Sequence, residues 1–126
     1  MMKAYHTDRD GIGIWRLSGV IRCDDARNLL RSLRESRGSG RGCFIIDFEK
    51  VDHVDYRAFR MLEDGCPTGM KVLLSGMNDY VLDIFAFAKR KDIISIYPDW
   101  KKAFRHLIVE RGKIGTSVVT DSVGNK

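Results

Sequence analysis

Short apolar runs alternate with amphipathic stretches along most of this 126-residue chain, and that alternation restricts its fold more than any other feature. Ala26, Leu29, Leu30 and Leu33 recur at i, i+3, i+4 and i+7, and Val81, Ile84, Phe85 and Ala88 repeat the spacing. Trp100, Ala103, Phe104, Leu107 and Ile108 make a third stripe. Such a period belongs to helices that turn one face to a core. Between the stripes lie Cys43–Phe48 (CFIIDF) and Met70–Ser75 (MKVLLS), short and rich in apolar residues. The first reads as a buried central strand and the second as a further strand. Strands alternating with helices demand parallel crossovers, so the chain is predicted to be α/β.

The punctuation supplies the remaining elements. Lys3–Thr7 reads as a short edge strand, and Asp10-Gly11 as a hairpin turn, because glycine accepts the positive φ such turns require. Ile12–Ser18 follows as a strand, and Gly19 opens a loop. Asp24 and Asp25 are candidate N-caps of the first helix, which Ser36-Arg37-Gly38-Ser39-Gly40 ends. Asp55 caps a helix to about Asp64, with Phe59 and Leu62 facing inward and Gly65 and Pro67 as stops. Asn78 or Asp79 caps the next helix, Ile93–Tyr97 is a short strand, and Asp99 caps the last helix. The expected order is β-β-α-β-α-β-α-β-α. It describes one domain over residues 1–110, with a mixed, mostly parallel sheet of about five strands and four helices. Residues 111–126, small, polar and glycine-bearing, read as a loose, flexible tail.

Composition narrows the function. Apolar residues make up 44% of the chain, enough for one core without metal or disulfides. The net charge of +5 arises from 22 basic residues interleaved with 17 acidic ones, which is no nucleic-acid footprint. Four arginines between Arg31 and Arg41 lack interleaved aromatics and read as a solvated helix face and linker. Cys23, Cys43 and Cys66 form no close pair; with no apolar leader and no run of membrane-spanning length, a soluble cytoplasmic protein is expected. No glycine-rich phosphate loop follows a strand and no Cys/His spacing fits zinc, so no cofactor is expected. Asp47, Glu49, Asp52, His53 and Asp55 read as a helix cap and solvated loop charges rather than a Mg²⁺ site. Cys66 lies far in sequence from His53 and His106, so no nucleophile–base pair is indicated. The expectation is a protein that is not an enzyme, with neither catalytic nor metal-ligating residues.

The order and spacing over about Lys3–Ile108 resemble the STAS domains, the anti-sigma-factor antagonist-like family. The strongest stretch is Phe44–Leu62, FIIDFEKVDHVDYRAFRML; Arg16-Leu17-Ser18-Gly19 and the closing Met70–Phe104 support it. The family pattern runs from an apolar strand ending in Asp, through a short loop, to Val-x-x-Ile-Asp-Ser-Ser-Gly-Leu. Here Asp47 ends the strand, Val51 and Val54 anchor the loop, and Asp55 opens the helix. In regulated members the residue two after that Asp is a serine phosphorylated by a partner kinase. This sequence has Asp55-Tyr56-Arg57-Ala58, and Arg57 has no hydroxyl to modify. Arg22 stands where the family carries an acidic residue after the second strand.

The resemblance implies a regulatory interaction module in signal transduction and transcription regulation. Its partner would be an anti-sigma factor or switch kinase, or a larger assembly carrying a histidine-kinase-like or transporter subunit. Arg22, Asp24, Asp55, Tyr56, Arg57 and Phe59 are its candidate partner-binding residues, and the protein would be a monomer or homodimer without membrane insertion. Two alternatives stand beside it. Arg22 and Arg57 could bind a small anion or nucleotide through bidentate hydrogen bonds, in a sensor domain. The chain could also serve a lipid or anion transport complex as its STAS subunit.

Overall fold

The computed structural model describes residues 2–38, 42–66, 69–92 and 94–119. Its elements are β1 (Lys3–Arg9), β2 (Ile12–Ile21), α1 (Cys23–Gly38), β3 (Cys43–Val54), α2 (Tyr56–Gly65), β4 (Lys71–Ser75), α3 (Asp79–Ala88), β5 (Ser95–Tyr97) and α4 (Trp100–Val119). The sheet order is β1-β2-β3-β4-β5, with β1 antiparallel to β2 and every other neighbouring pair parallel. Asp10 at φ 51° and Gly11 at φ 80° form the hairpin, with Arg9 opposite Ile12. Two consecutive positive φ values give the mirror-image turn whose twist matches the flanking strands.

Alternation along the strands divides the interior. Trp15 and Leu17 of β2, Phe44, Ile46 and Phe48 of β3, and Val72 and Leu74 of β4 face one way. They meet the stripes of α1 and α3, together with Ala58, Phe59 and Leu62 of α2. Ile12, Ile14, Ile45 and Leu73 face the other way and are covered by Ala103 and Leu107 of α4. The amphipathic stripes therefore do what their spacing predicts.

Three expectations need correction. First, β2 continues past Ser18 to Ile21 and β3 past Phe48 to Val54, so Gly19 lies within a strand. Gly19 has φ 86°, and the β2–β3 register shifts between Arg16 and Ser18 and again between Gly19 and Val20. Such a bulge takes up an extra residue without ending the pairing. Beyond it Val51 and Val54 are buried, at 2% and 1% exposure, so the ladder continues with its inward phase slipped.

Second, neither Asp24 nor Asp25 is the N-cap of α1, which begins at Cys23. Instead Asp25 reaches back from the first turn, and its Oδ2 accepts the Arg22 backbone N–H at 2.9 Å. This is the reciprocal half of a capping box. Asp55, Asn78 and Asp99 do cap, accepting from the backbone N–H groups of Arg57, Val81 and Lys102.

Third, α4 runs to Val119, beyond Arg111 where a loose tail is expected. Once a helix is nucleated each further residue adds a hydrogen bond, so Gly112 and Gly115 lower its propensity without stopping it. Ser39, Gly40, Pro67, Ile93 and residues 120–126, all used in the sequence reading, lie outside the described residues. Among the described residues no helix is long and apolar enough to cross a membrane.

Candidate functional site

Parallel pairing of β2 and β3 brings their C-terminal ends side by side, and α1 and α2 start from those ends. The Asp55 backbone N–H donates to the Ile21 carbonyl at 2.9 Å, fixing one helix start against the other. Asp55 is extended, at φ −63° and ψ 126°, as an N-cap must be. Its Oδ1 accepts from the Arg57 backbone N–H at 2.9 Å and from Arg57 Nε at 3.1 Å, while its Oδ2 accepts from Arg57 Nη2 at 2.7 Å. The guanidinium thus grips the carboxylate with two parallel donors, the stronger form of such a pair. The Arg57 side chain, helped by its backbone N–H, lowers the Asp55 carboxyl from 3.8 to about 2, and Asp55 raises Arg57 in return.

Arg22, Asp24, Asp55 and Arg57 line one cleft of about 380 Å³, together with Cys23 and His53. The Arg22 guanidinium is exposed and has no ion-pair partner among the described residues, whereas Asp24 accepts Arg27 Nη1 at 2.7 Å. Tyr56 does not line this cleft but the groove beside it. Phe59 is only 4% exposed and packs on Phe48 and Phe85, with ring centroids 5.6 and 5.2 Å away, so it does not stand on this surface. Its inward direction agrees with the helical pattern; a direct contact with a docked partner does not.

A second groove, of about 500 Å³, opens between α2 and α3. Tyr56 meets Phe87 edge-on at 5.4 Å, and the Arg60 guanidinium carbon lies 5.0 Å from the Tyr56 ring centroid and 5.8 Å from that of Phe87. Arg60 Nε also donates to the Ala88 carbonyl at 3.2 Å. His53 Nδ1 and the Tyr80 hydroxyl share a 2.6 Å hydrogen bond. Tyr80, Leu82 and Phe87 are all exposed, and the sequence reading did not single them out. Their signal is present in DYVLDIFAFA, where large apolar side chains occur outside the buried stripe.

The acidic residues of β3 do something else. Asp47 is 2% exposed on the α4 side of the sheet, where Ser75 Oγ donates to its Oδ1 at 3.1 Å and Arg16 Nε to its Oδ2 at 3.3 Å. Arg16 also reaches Glu49. These bonds satisfy a buried carboxylate. Among the described residues no group of three or more His, Cys, Asp and Glu side chains could hold a metal ion. Burial pushes the Cys66 thiol up, the opposite of what a nucleophilic cysteine requires.

Comparison with known proteins agrees with this architecture. The family model for the STAS domain matches residues 4–103. An anti-sigma factor antagonist from Mycobacterium paratuberculosis superposes with a TM-score of 0.71 at 14% identity, covering 84% of this chain and 93% of that one. A putative anti-sigma factor antagonist from Thermotoga maritima gives 0.64 at 13% identity, with coverages of 82% and 92%. The unphosphorylated anti-sigma factor antagonist SpoIIAA gives 0.56 at 14% identity, with coverages of 85% and 97%. At these identities the likeness is one of fold. Curated proteins yield no significant match.

Proposed function

Because this chain belongs to the STAS domain family, we propose that it is a non-enzymatic regulatory module that docks a protein partner at the starts of α1 and α2. The partner is an anti-sigma factor or switch kinase, or a related assembly, and docking is not switched by phosphate on residues 55–58. One observation supports this reading above the others. Where regulated relatives carry a serine hydroxyl, this chain has Arg57, whose side chain has none to modify and instead closes a two-point fork on the Asp55 carboxylate. The same fork counts against the small-anion alternative, since the Nε–Nη2 edge of Arg57 is already taken by a carboxylate whose own charge offsets the guanidinium. Around it, exposed Arg22 and Tyr56 supply the kind of side chains that anchor interfaces.

The test uses purified switch kinases and anti-sigma factors from the source organism. Each is titrated against the protein by calorimetry, with and without ATP, and the products are checked by intact mass. Binding that ignores ATP, an unchanged mass, and a drop in affinity of about tenfold or more for Arg22→Glu are expected. Phosphate on residues 55–58, or binding indifferent to both Arg22→Glu and Tyr56→Ala, would refute the proposal.

A further inference from the structure

Four of the seven large hydrophobic side chains exposed among the described residues, Tyr56, Tyr80, Leu82 and Phe87, belong to α2 and the outer face of α3. Clustered exposure of this kind on a small domain marks a contact surface rather than chance. Two carboxylates lie along the same face. Asp79 and Asp83 sit at i and i+4, both are exposed, and neither has an ion-pair partner among the described residues. Like charges at that spacing oppose each other on a helix, and aspartate is a poor interior helix residue. The chain as a whole carries +5, so this face is locally reversed in charge.

The groove between α2 and α3 puts these features together. Asp83 lines it with Tyr56, Tyr80 and Phe87, and the hydrogen bond to His53 holds the Tyr80 ring in place. Its aromatic rim already binds one guanidinium, since Arg60 lies against both Tyr56 and Phe87. Ring faces attract cations, and guanidinium groups stack on them especially well. A second guanidinium entering the groove would meet ring surface and an unpaired carboxylate within one lining. An anion or a neutral apolar segment would leave Asp83 desolvated without a partner, which is unfavourable.

We propose that this groove receives an arginine side chain from an amphipathic segment of the partner protein, held by the rings of Tyr80 and Phe87 and paired with Asp83. The inference rests on the docking reading above and adds the partner's chemistry to it. It also separates the contacts: the α1 and α2 starts give the platform, and the α2–α3 groove selects a basic, helix-sized segment.

The test is an amide NMR titration of the full chain with a helical peptide of Leu-Ala-Ala-Arg repeats. A peptide of Leu-Ala-Ala-Glu repeats is the control. Shifts at Tyr56, Tyr80, Asp83 and Phe87 with the arginine peptide alone are expected, and Asp83→Asn should weaken them about tenfold, the loss of one charge-assisted hydrogen bond. Asp83 and Phe87 are surface residues, so the folding of Asp83→Asn and Phe87→Ser can be checked by melting. Equal shifts with both peptides, no shifts at these four residues, or concentration-dependent shifts without peptide would each overturn the assignment. The last result would identify a second copy as the occupant. Arg22→Glu should leave the peptide titration unchanged while weakening kinase binding, so failure of the docking proposal and failure of this one are told apart.

Discussion

Replacing Asp55 separates two roles that the structure joins in one carboxylate. Asp55→Asn keeps a good N-cap and removes the charge, whereas Asp55→Ala removes both. Loss of the cap costs about 1 kcal/mol. The depression of the carboxyl from 3.8 to about 2 sets a ceiling of about 2.4 kcal/mol on the charge, at about 1.36 kcal/mol per unit. Asp55 is 23% exposed but Arg57 is 64% exposed, so water screens the pair and the charge contributes about 0.5 kcal/mol. The expected losses are therefore about 0.5 kcal/mol for Asp55→Asn and about 1.5 kcal/mol for Asp55→Ala. The pH dependence follows from the direction of the shift. A carboxyl depressed in the folded state stabilises fully above its unfolded value of 3.8, and that contribution fades as pH falls from about 4 toward about 2. Urea denaturation of the three proteins from neutral pH down to about pH 2 measures both effects. Equal losses for the two variants at neutral pH, or a wild-type advantage over Asp55→Asn undiminished at about pH 2, would refute the reasoning.

Other perturbations test the frame around the site. Gly76 has φ 72°, and a Cβ there would come within 2.6 Å of Asp47 Oδ1 and 3.1 Å of the Glu49 backbone nitrogen. Gly76→Ala should therefore cost about 2–3 kcal/mol by urea denaturation. Phe59→Ala should cost about 3–5 kcal/mol because it empties a buried site, while Phe87→Ser stays within about 0.5 kcal/mol of wild type. In a Cys23→Ser, Cys43→Ser background, Cys66 should react with a disulfide reagent at neutral pH more slowly than a free cysteine peptide, because burial raises its pKa. A rate equal to or above that of the peptide would contradict the burial.

The element order was legible because three stripes of period 3.6 and the short apolar runs between them admit few other readings. The long ends of β2 and β3 were not, because β3 takes up an extra residue at each of two register shifts opposite Arg16–Val20, which slips its inward phase and makes Val51 and Val54 look like loop anchors. Asp25 was recognised as a capping residue, but its acceptance from Arg22 N–H across the first turn depends on where the helix begins. At the site, the motif placed Asp55 and Arg57 together. It could not tell whether Arg57 faces a ligand or folds back, because that choice is made by side-chain torsions. Tyr80 and Phe87 were missed for a simpler reason: the reading followed the residues α3 buries, and an apolar residue off the stripe gives no sign of what it meets.

The sheet order has a last consequence. Strands β2 to β5 succeed one another without reversal, so the parallel part has no point where neighbouring crossovers depart to opposite faces. In open α/β sheets that reversal is what opens a crevice for small ligands. Here the first turns of α1, α2 and α3 emerge in a row over β2, β3 and β4, on the same side, and form a ledge. The ledge sets three helix starts side by side, with the two clefts already described opening along it. The helix that covers the back of the sheet, α4, lies on the opposite face, so under the proposed docking the row and α4 are perturbed independently.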